Sequence, residues 1–169
     1  MIPTPILAAR RHLFFTAALL ATGTLLLPRA ASAYDENSPN AVNVDASGLA
    51  LKGHDPLAYF TAARATPGLP QFNASFGGAT YRFASASNRD AFVANPAQYA
   101  PAYGGFCAMG MALEKKLDVD PQAWRVVDGR LYLNVNKDVQ KRWLDDVPGN
   151  IAAAEKNWPR LKDRVPKSL

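Results

Sequence analysis

The sequence predicts an α+β fold, a single small domain with two β-hairpins and about four or five helices. Two glycine-containing turns lie between short segments of alternating apolar and polar residues, which is the pattern of a hairpin. Other segments repeat apolar residues at spacings of three and four, which is typical of amphipathic helices. The chain has 169 residues, enough for one domain, and helices that alternate with hairpins favour an α+β architecture.

The two hairpins are predicted at Gly77-Gly78 and Asp128-Gly129. Strands at residues 71–76 and 79–84 flank the first turn, and strands at residues 124–127 and 130–133 flank the second. Aspartate and glycine tolerate the positive φ angles that a two-residue turn requires. Each turn therefore predicts a tight antiparallel pair.

Helices are predicted in the segments between and after the hairpins. Asp55 and Pro56 open a helix that runs to about residue 63, and Ser87 with Asp90 resembles a capping box for a helix that ends before Pro96. Residues 138–145 and 150–161 carry apolar stripes, and residues 105–113 are a further candidate.

The first 33 residues have the pattern of an export signal peptide. Arg10 and Arg11 precede an uncharged apolar run of 15 residues, 13–27, and the run is followed by Ala31-Ser32-Ala33, a small-x-small cleavage pattern. The run is shorter than the roughly 20 residues of a bilayer span. The paired arginines are similar to a twin-arginine signal, and a general secretory signal is the alternative. We expect a periplasmic or secreted bacterial protein that begins at Tyr34 and keeps no stable membrane span after cleavage.

Charge and composition exclude several classes of function. Removing residues 1–33 takes away three arginines and no acid, which leaves 16 basic and 14 acidic residues, so a nucleic-acid partner is not expected. One cysteine forms no internal disulfide, and two histidines with one cysteine exclude a zinc site built from Cys and His pairs. Residues 34–43 are predicted to be a polar linker, and residues 44–169 the domain.

Four motifs in order resemble the exported YHS-domain proteins. They are Gly53-His54-Asp55-Pro56-Leu57-Ala58-Tyr59-Phe60; Tyr81-Arg82-Phe83 with Asn88, Phe92, Pro96 and Tyr99; Tyr103-Gly104-Gly105-Phe106-Cys107-Ala108; and Asp128-Gly129-Arg130-Leu131-Tyr132-Leu133. The resemblance covers nearly the whole chain after residue 33 and implies a YHS-like fold and a role in handling metal. Many YHS domains carry two cysteines just after the Tyr-x-Phe strand, whereas residues 84–88 contain no sulfur here.

A soft metal site is predicted at Cys107, Met111 and His54. In a helix over residues 105–113, Cys107 and Met111 are four residues apart and share one face, whereas Met109 points away. A thiolate and a thioether, completed by the imidazole of His54, suit Cu(I) better than Zn, Mg or Ca. The alternative is that the sulfur residues fill the core.

A pocket is the second candidate site. Asp55 lies beside His54, where it could bond to the imidazole, and Tyr59 follows in the same motif. Tyr103 precedes Gly104 and Gly105, and two glycines would let backbone approach a ligand with the phenol at the mouth. Both tyrosines are otherwise expected in the core.

Three classes of function stay open on the sequence. The first is an exported YHS-domain protein that binds copper, for metal handling or sensing. The second is a metal-free structural or partner-binding module that recognises another exported protein, with the basic end of the chain from residue 150 onward as its surface. The third is a thiol-dependent enzyme that uses Cys107, although no third group of a catalytic set is recognisable, so we expect no catalysis.

Overall fold

The computed structural model describes Met1 and residues 34–169, so the predicted signal peptide and the cleavage pattern lie outside the described residues except for Met1. Four strands and six α-helices follow in the described chain. They are α1 (Ala58–Thr61), β1 (Leu69–Phe76), β2 (Ala79–Phe83), α2 (Ala86–Ala94), α3 (Pro96–Tyr99), α4 (Ala108–Ala112), β3 (Asp120–Val127), β4 (Arg130–Asn134), α5 (Lys137–Asp145) and α6 (Val147–Leu161). The α+β prediction is confirmed.

Both predicted hairpins form with two-residue turns. β1 pairs antiparallel with β2 so that Phe76 faces Ala79, and β3 pairs antiparallel with β4 so that Val127 faces Arg130. Asp128 and Gly129 have φ angles of 48° and 72°, as a type I′ turn requires. The strands begin earlier than predicted, at Leu69 and Asp120, because a register irregularity lets each first strand extend beyond its regular pairing.

Local capping moves the predicted starts of three helices. α2 is capped by Ser85, whose hydroxyl accepts the N–H of Asn88, and not by Ser87. α6 begins at Val147 because Asp146 accepts the N–H of Gly149. α4 begins at Ala108 and not at residue 105, since Gly105 has a φ of 80° and cannot lie in a right-handed helix.

The chain contains two structurally equivalent units, although no repeat is evident in its sequence. Each unit has three successive residues with positive φ, at 51–53 and at 103–105, followed by a short helix, a hairpin and a nine-residue helix. The residues that end the nine-residue helices, Asn95 and Asp146, have nearly the same backbone angles (φ −150°, ψ 70° and φ −146°, ψ 73°). Equivalent positions are 51 or 52 residues apart, and they pair Asp55 with Cys107.

The core reflects these two units. One buried cluster is built on the first hairpin and Phe92 of α2, and a second is built on α4, α6 and Trp143 of α5. The third cluster joins the units, since it contains Leu51 and Tyr59 from the first and Cys107 and Leu133 from the second.

Residues 34–43, which were predicted to be a linker, contact the domain. The hydroxyl of Tyr34 donates to the carbonyl of Lys116 at 2.6 Å, and the N–H of Asn43, a buried residue, donates to Gly104 at 2.9 Å. This segment is therefore part of the fold. Among the described residues, no helix has the length and apolar character needed to cross a membrane.

Candidate functional site

Asp55 is a buried carboxylate that holds the first unit together. Its Oδ1 accepts the N–H groups of Leu57 and Ala58, at 2.8 and 3.3 Å, and so caps the turn that leads into α1. Its Oδ2 accepts the N–H of Ala84 at 2.8 Å and the side-chain amide of Asn88 at 2.6 Å. Four donors satisfy this side chain, so the carboxylate anchors the hairpin and α2 to the turn before α1.

Cys107 occupies the equivalent position in the second unit. It is the N-cap of α4, where its sulfur accepts the N–H of Gly110 at 3.3 Å and the thiol donates to Oδ1 of Asn134 at 3.7 Å. The main-chain N–H of Cys107 donates to Leu117, as that of Asp55 donates to Thr66. The equivalence indicates that the thiol is a structural cap.

The thiol is also poorly placed to react. Cys107 is 0% exposed, and burial raises the pKa of its thiol, although hydrogen bonds from three backbone N–H groups lower it. A thiolate is the form that attacks an electrophile or binds a metal. The neutral thiol therefore disfavours a nucleophilic role.

The other two predicted ligands, Met111 and His54, have packing and backbone partners of their own. Met111 is fully buried in the cluster built on α4 and α6, whereas Cys107 belongs to the cluster that joins the units. Cys107 is the N-cap of α4, and Met111 lies inside the helix, where its main-chain N–H donates to the Cys107 carbonyl at 2.8 Å. Met109 packs against both clusters. His54 pairs with Pro67 in an isolated antiparallel bridge.

The donors predicted for copper differ in how available they are. The Nδ1 atom of His54 is buried without a hydrogen-bond partner, which leaves an imidazole nitrogen available to a ligand. The Cys107 sulfur, however, is engaged as a cap, and burial favours its neutral form. Leaving methionine aside, no group of three or more His, Cys, Asp or Glu side chains within residues 34–169 could hold a metal ion. The capped, neutral thiol disfavours a preformed Cu(I) site at Cys107.

The predicted pocket residues separate into two places. Tyr59 is buried, its hydroxyl donates to the carbonyl of Pro121 at 3.0 Å, and its ring packs edge-to-face on Trp124. Tyr59 thus joins the first unit to the second hairpin. Asp55 bonds to backbone and to Asn88, as described above, and not to His54.

Tyr103, Gly104 and Gly105 form a turn with three positive φ angles, of 54°, 61° and 80°. A non-glycine residue in this region carries strain, so the φ of Tyr103 is notable. Gly104 lies against the chain at Ala41, whose carbonyl oxygen would be 1.9 Å from an added Cβ. The turn is held there by Asn43, whose main-chain and side-chain N–H groups donate to Gly104 and Gly105.

This turn lines a cleft of about 310 Å³ between the two units. The cleft is lined by Phe76, Gly77 and Tyr81 of the first hairpin, by Gln98 of α3, and by Tyr103, Arg130 and Trp158 of the second unit, among others. Tyr81 and Tyr103 are buried, whereas Phe76 and Trp158 are half-buried. The rings of Tyr103 and Trp158 meet edge-to-face at 6.0 Å.

Arg130 provides the charge at this cleft. Its Nη1 donates to Oε1 of Glu155 at 2.7 Å, and its guanidinium lies 6.0 and 5.7 Å from the ring centres of Tyr103 and Tyr132. Tyr103 donates its hydroxyl to the same Glu155 oxygen at 3.3 Å. Burial, and then the Glu155 carboxylate, raise the pKa of Tyr103, so the phenol stays neutral at physiological pH.

Lys116 is a buried charge that the sequence does not reveal, because it lies in a polar run of the kind that is typical of an exposed loop. Its Nζ donates to the carbonyls of Asn40, Lys162 and Arg164 at 2.8, 2.8 and 2.9 Å and lies 4.6 Å from the centre of the Phe106 ring. Burial lowers the pKa of Lys116 to about 8. Its contacts fix residues 34–43 and the end of α6 to each other, so we assign it a structural role.

Comparison of this chain with protein-family models, with curated proteins and with solved structures finds no match. The motifs that resemble YHS domains nevertheless contact one another in the structure. Asp55 of the first motif bonds to Asn88 of the second, and Tyr103 of the third packs on Tyr132 of the fourth, with ring centres 5.9 Å apart. Proposals about function therefore rest on the geometry.

Proposed function

We propose that this chain is an exported, YHS-like binding protein that takes a small molecule in the cleft between its two units and performs no catalysis. The observation that carries the proposal is the cleft itself. Aromatic side chains from both units line it, and one charged group, Arg130, reaches it. Small-molecule sites in proteins are typically concave, largely apolar and supplied with a few polar groups.

The turn at residues 103–105 supports the same function through its position. Tyr103 has a φ of 54°, as Leu51 has at the equivalent position of the first unit, so the strain belongs to the repeated turn. In the second unit this turn lines the cleft at the boundary between the units, which is a common location for ligands.

Two of the three classes named from the sequence, the thiol-dependent enzyme and the copper-binding protein, have less support. A thiol-dependent enzyme needs an accessible, activated sulfur, and Cys107 is buried with a raised pKa. A preformed copper site at Cys107 needs an available thiolate, and this sulfur is engaged as the cap of α4 with a raised pKa. The cleft is thus the better candidate.

Filling the cleft tests the proposal. Ala97 is exposed and lines the cleft, so Ala97→Phe should block it without disturbing the core; Ala152→Phe, at an exposed position of α6 that does not line the cleft, is the matched control. We expect indole, benzoate or benzamide to shift the amide NMR signals of Tyr103 and Gly104 in the parent and the control but not in Ala97→Phe. The absence of any shift in the parent, or equal shifts in all three proteins, would contradict the proposal.

Export is a separate part of the proposal and has its own test. The intact mass of the protein isolated from producing cells should correspond to a chain that begins at Tyr34. A mass that includes residues 1–33 would exclude cleavage at this position. Lysine in place of Arg10 and Arg11 should stop export if the signal is of the twin-arginine type.

A further inference from the structure

We infer that the ligand class of the cleft is a small aromatic carboxylate, with Arg130 as the residue that binds its anionic group. This inference rests on the proposed function and specifies the ligand. It depends on three features: the aromatic lining, the position of the guanidinium and the way in which Glu155 is engaged.

The lining offers aromatic surface to a flat ring. Half-buried Phe76 and Trp158 line the cleft together with the buried residues Tyr81 and Tyr103, alongside polar groups. Ring pairs in edge-to-face or offset geometry are favourable, and the existing Tyr103–Trp158 contact already has an interplanar angle of 61°. A volume of about 310 Å³ accommodates one aromatic ring with a short substituent.

Arg130 selects a negative group. A guanidinium has five N–H donors in a planar arrangement that matches a carboxylate, and the hydrogen bonds of the described chain engage only Nη1 of Arg130, with Glu155. The Arg130 side chain is 51% exposed, so a ligand in the cleft can reach the remaining donors. The neutral phenol of Tyr103 adds no repulsion toward an anion.

A cationic ligand fits less well, although aromatic rings beside a carboxylate can bind ammonium groups. Glu155 is the acid that contacts residues of the cleft, but its Oε1 accepts from both Arg130 and Tyr103, and Glu155 itself does not line the cleft. An ammonium would also lie beside the guanidinium of Arg130. Charge complementarity therefore favours the carboxylate.

Three probes of nearly equal shape separate the alternatives: benzoate, benzamide and benzylamine carry a negative, a neutral and a positive group on the same ring. We expect NMR titration of the purified protein to give a dissociation constant for benzoate about tenfold or more below that for benzamide, with benzylamine the weakest. Equal binding of benzoate and benzamide would refute the inference but keep the cleft as a binding site. If none of the three probes shifts the NMR signals of the cleft residues, both the inference and the proposed function fail.

Two variants locate the effect. Arg130→Gln should make benzoate bind no more tightly than benzamide, whereas Arg89→Gln, which removes a comparable exposed ion pair with Asp90, should leave the preference unchanged. Glu155→Gln removes the carboxylate that competes for Arg130, and we expect it to tighten benzoate binding severalfold. Weaker benzoate binding in Glu155→Gln, or an unchanged preference in Arg130→Gln, would overturn the assignment.

Discussion

Replacing Asp55 by asparagine should be one of the most damaging conservative changes in this protein. The carboxylate is fully buried and accepts two hydrogen bonds at each oxygen. An amide has one oxygen and one NH₂ group. In either orientation the NH₂ group of the new asparagine therefore faces two hydrogen-bond donors and leaves them without an acceptor. On one side these are the N–H groups of Leu57 and Ala58, and on the other they are the N–H groups of Ala84 and Asn88.

The magnitude follows from the bonds that are lost. A hydrogen bond to a charged group contributes about 1.5–3 kcal/mol, and donors left unpaired in the interior cost more than their lost bond. Two lost bonds lower the free energy of unfolding by about 3–5 kcal/mol, which is a large fraction of the stability of an ordinary domain. The corresponding decrease in Tm is roughly 10 °C.

Urea unfolding followed by tryptophan fluorescence measures this difference. Asp90→Asn is the matched control because the Asp90 side chain is 66% exposed, and we expect a change within about 0.5 kcal/mol. Adding Asn88→Asp to Asp55→Asn should restore about half of the loss, since the new carboxylate at position 88 accepts from the amide introduced at position 55 while Ala84 stays unpaired. A cost below about 1 kcal/mol for Asp55→Asn would refute the assignment of Asp55 as an anchor.

Three further predictions test other parts of the structure. Gly104→Ala should lower the free energy of unfolding by about 3 kcal/mol or more, because the new Cβ would lie 1.9 Å from the carbonyl oxygen of Ala41. Gly129→Val should lower it by only about 1–2 kcal/mol, because the space around Gly129 is open and only its φ of 72° is unfavourable; equal decreases in urea unfolding would contradict this reasoning. Lys116 holds its proton to about pH 10.5 in the unfolded chain but only to about pH 8 in the fold, so its contribution to the free energy of unfolding should increase as the pH rises between these values. This increase should be missing from Lys116→Met, so the difference in free energy of unfolding between parent and variant should change between about pH 7.5 and about pH 9.5. An unchanged difference would disprove the prediction. Cys107→Ser should lower the free energy of unfolding by no more than about 1.5 kcal/mol. Any Cu(I) affinity, measured in competition with a Cu(I) chelator, should stay unchanged in this variant, and loss of tight Cu(I) binding would support the metal hypothesis.

Local features of the sequence were enough to predict the hairpins and the general positions of most helices. Asp128 and Gly129 determine a turn through their own backbone preferences, and alternation of side chains determines which face of each strand is buried. The sequence predicts Ser87 as the cap of α2 and the structure has Ser85, because both residues suit an N-cap. Short helices such as α3 have too few residues for a periodic signal.

The repeat was missed for a related reason. The two units share backbone conformation at equivalent positions but place different side chains there, as Asp55 and Cys107 do. A carboxylate and a thiol can each accept a backbone N–H at a helix start, so one structural role is filled by unlike residues. A sulfur that suggested a metal ligand in the sequence is a cap in the fold.

The sequence by itself determined the two hairpin turns, the approximate positions of the longer helices and the candidate residues near the turns, because these depend on neighbours a few positions away. Tertiary structure alone decided which of them meet: it brought Arg130 and Trp158 to the cleft beside Tyr103, and it separated the packing of Cys107 from that of Met111. It also buried Lys116 among carbonyls from two distant segments. Such groupings depend on how two units pack, and no local pattern of residues encodes that packing.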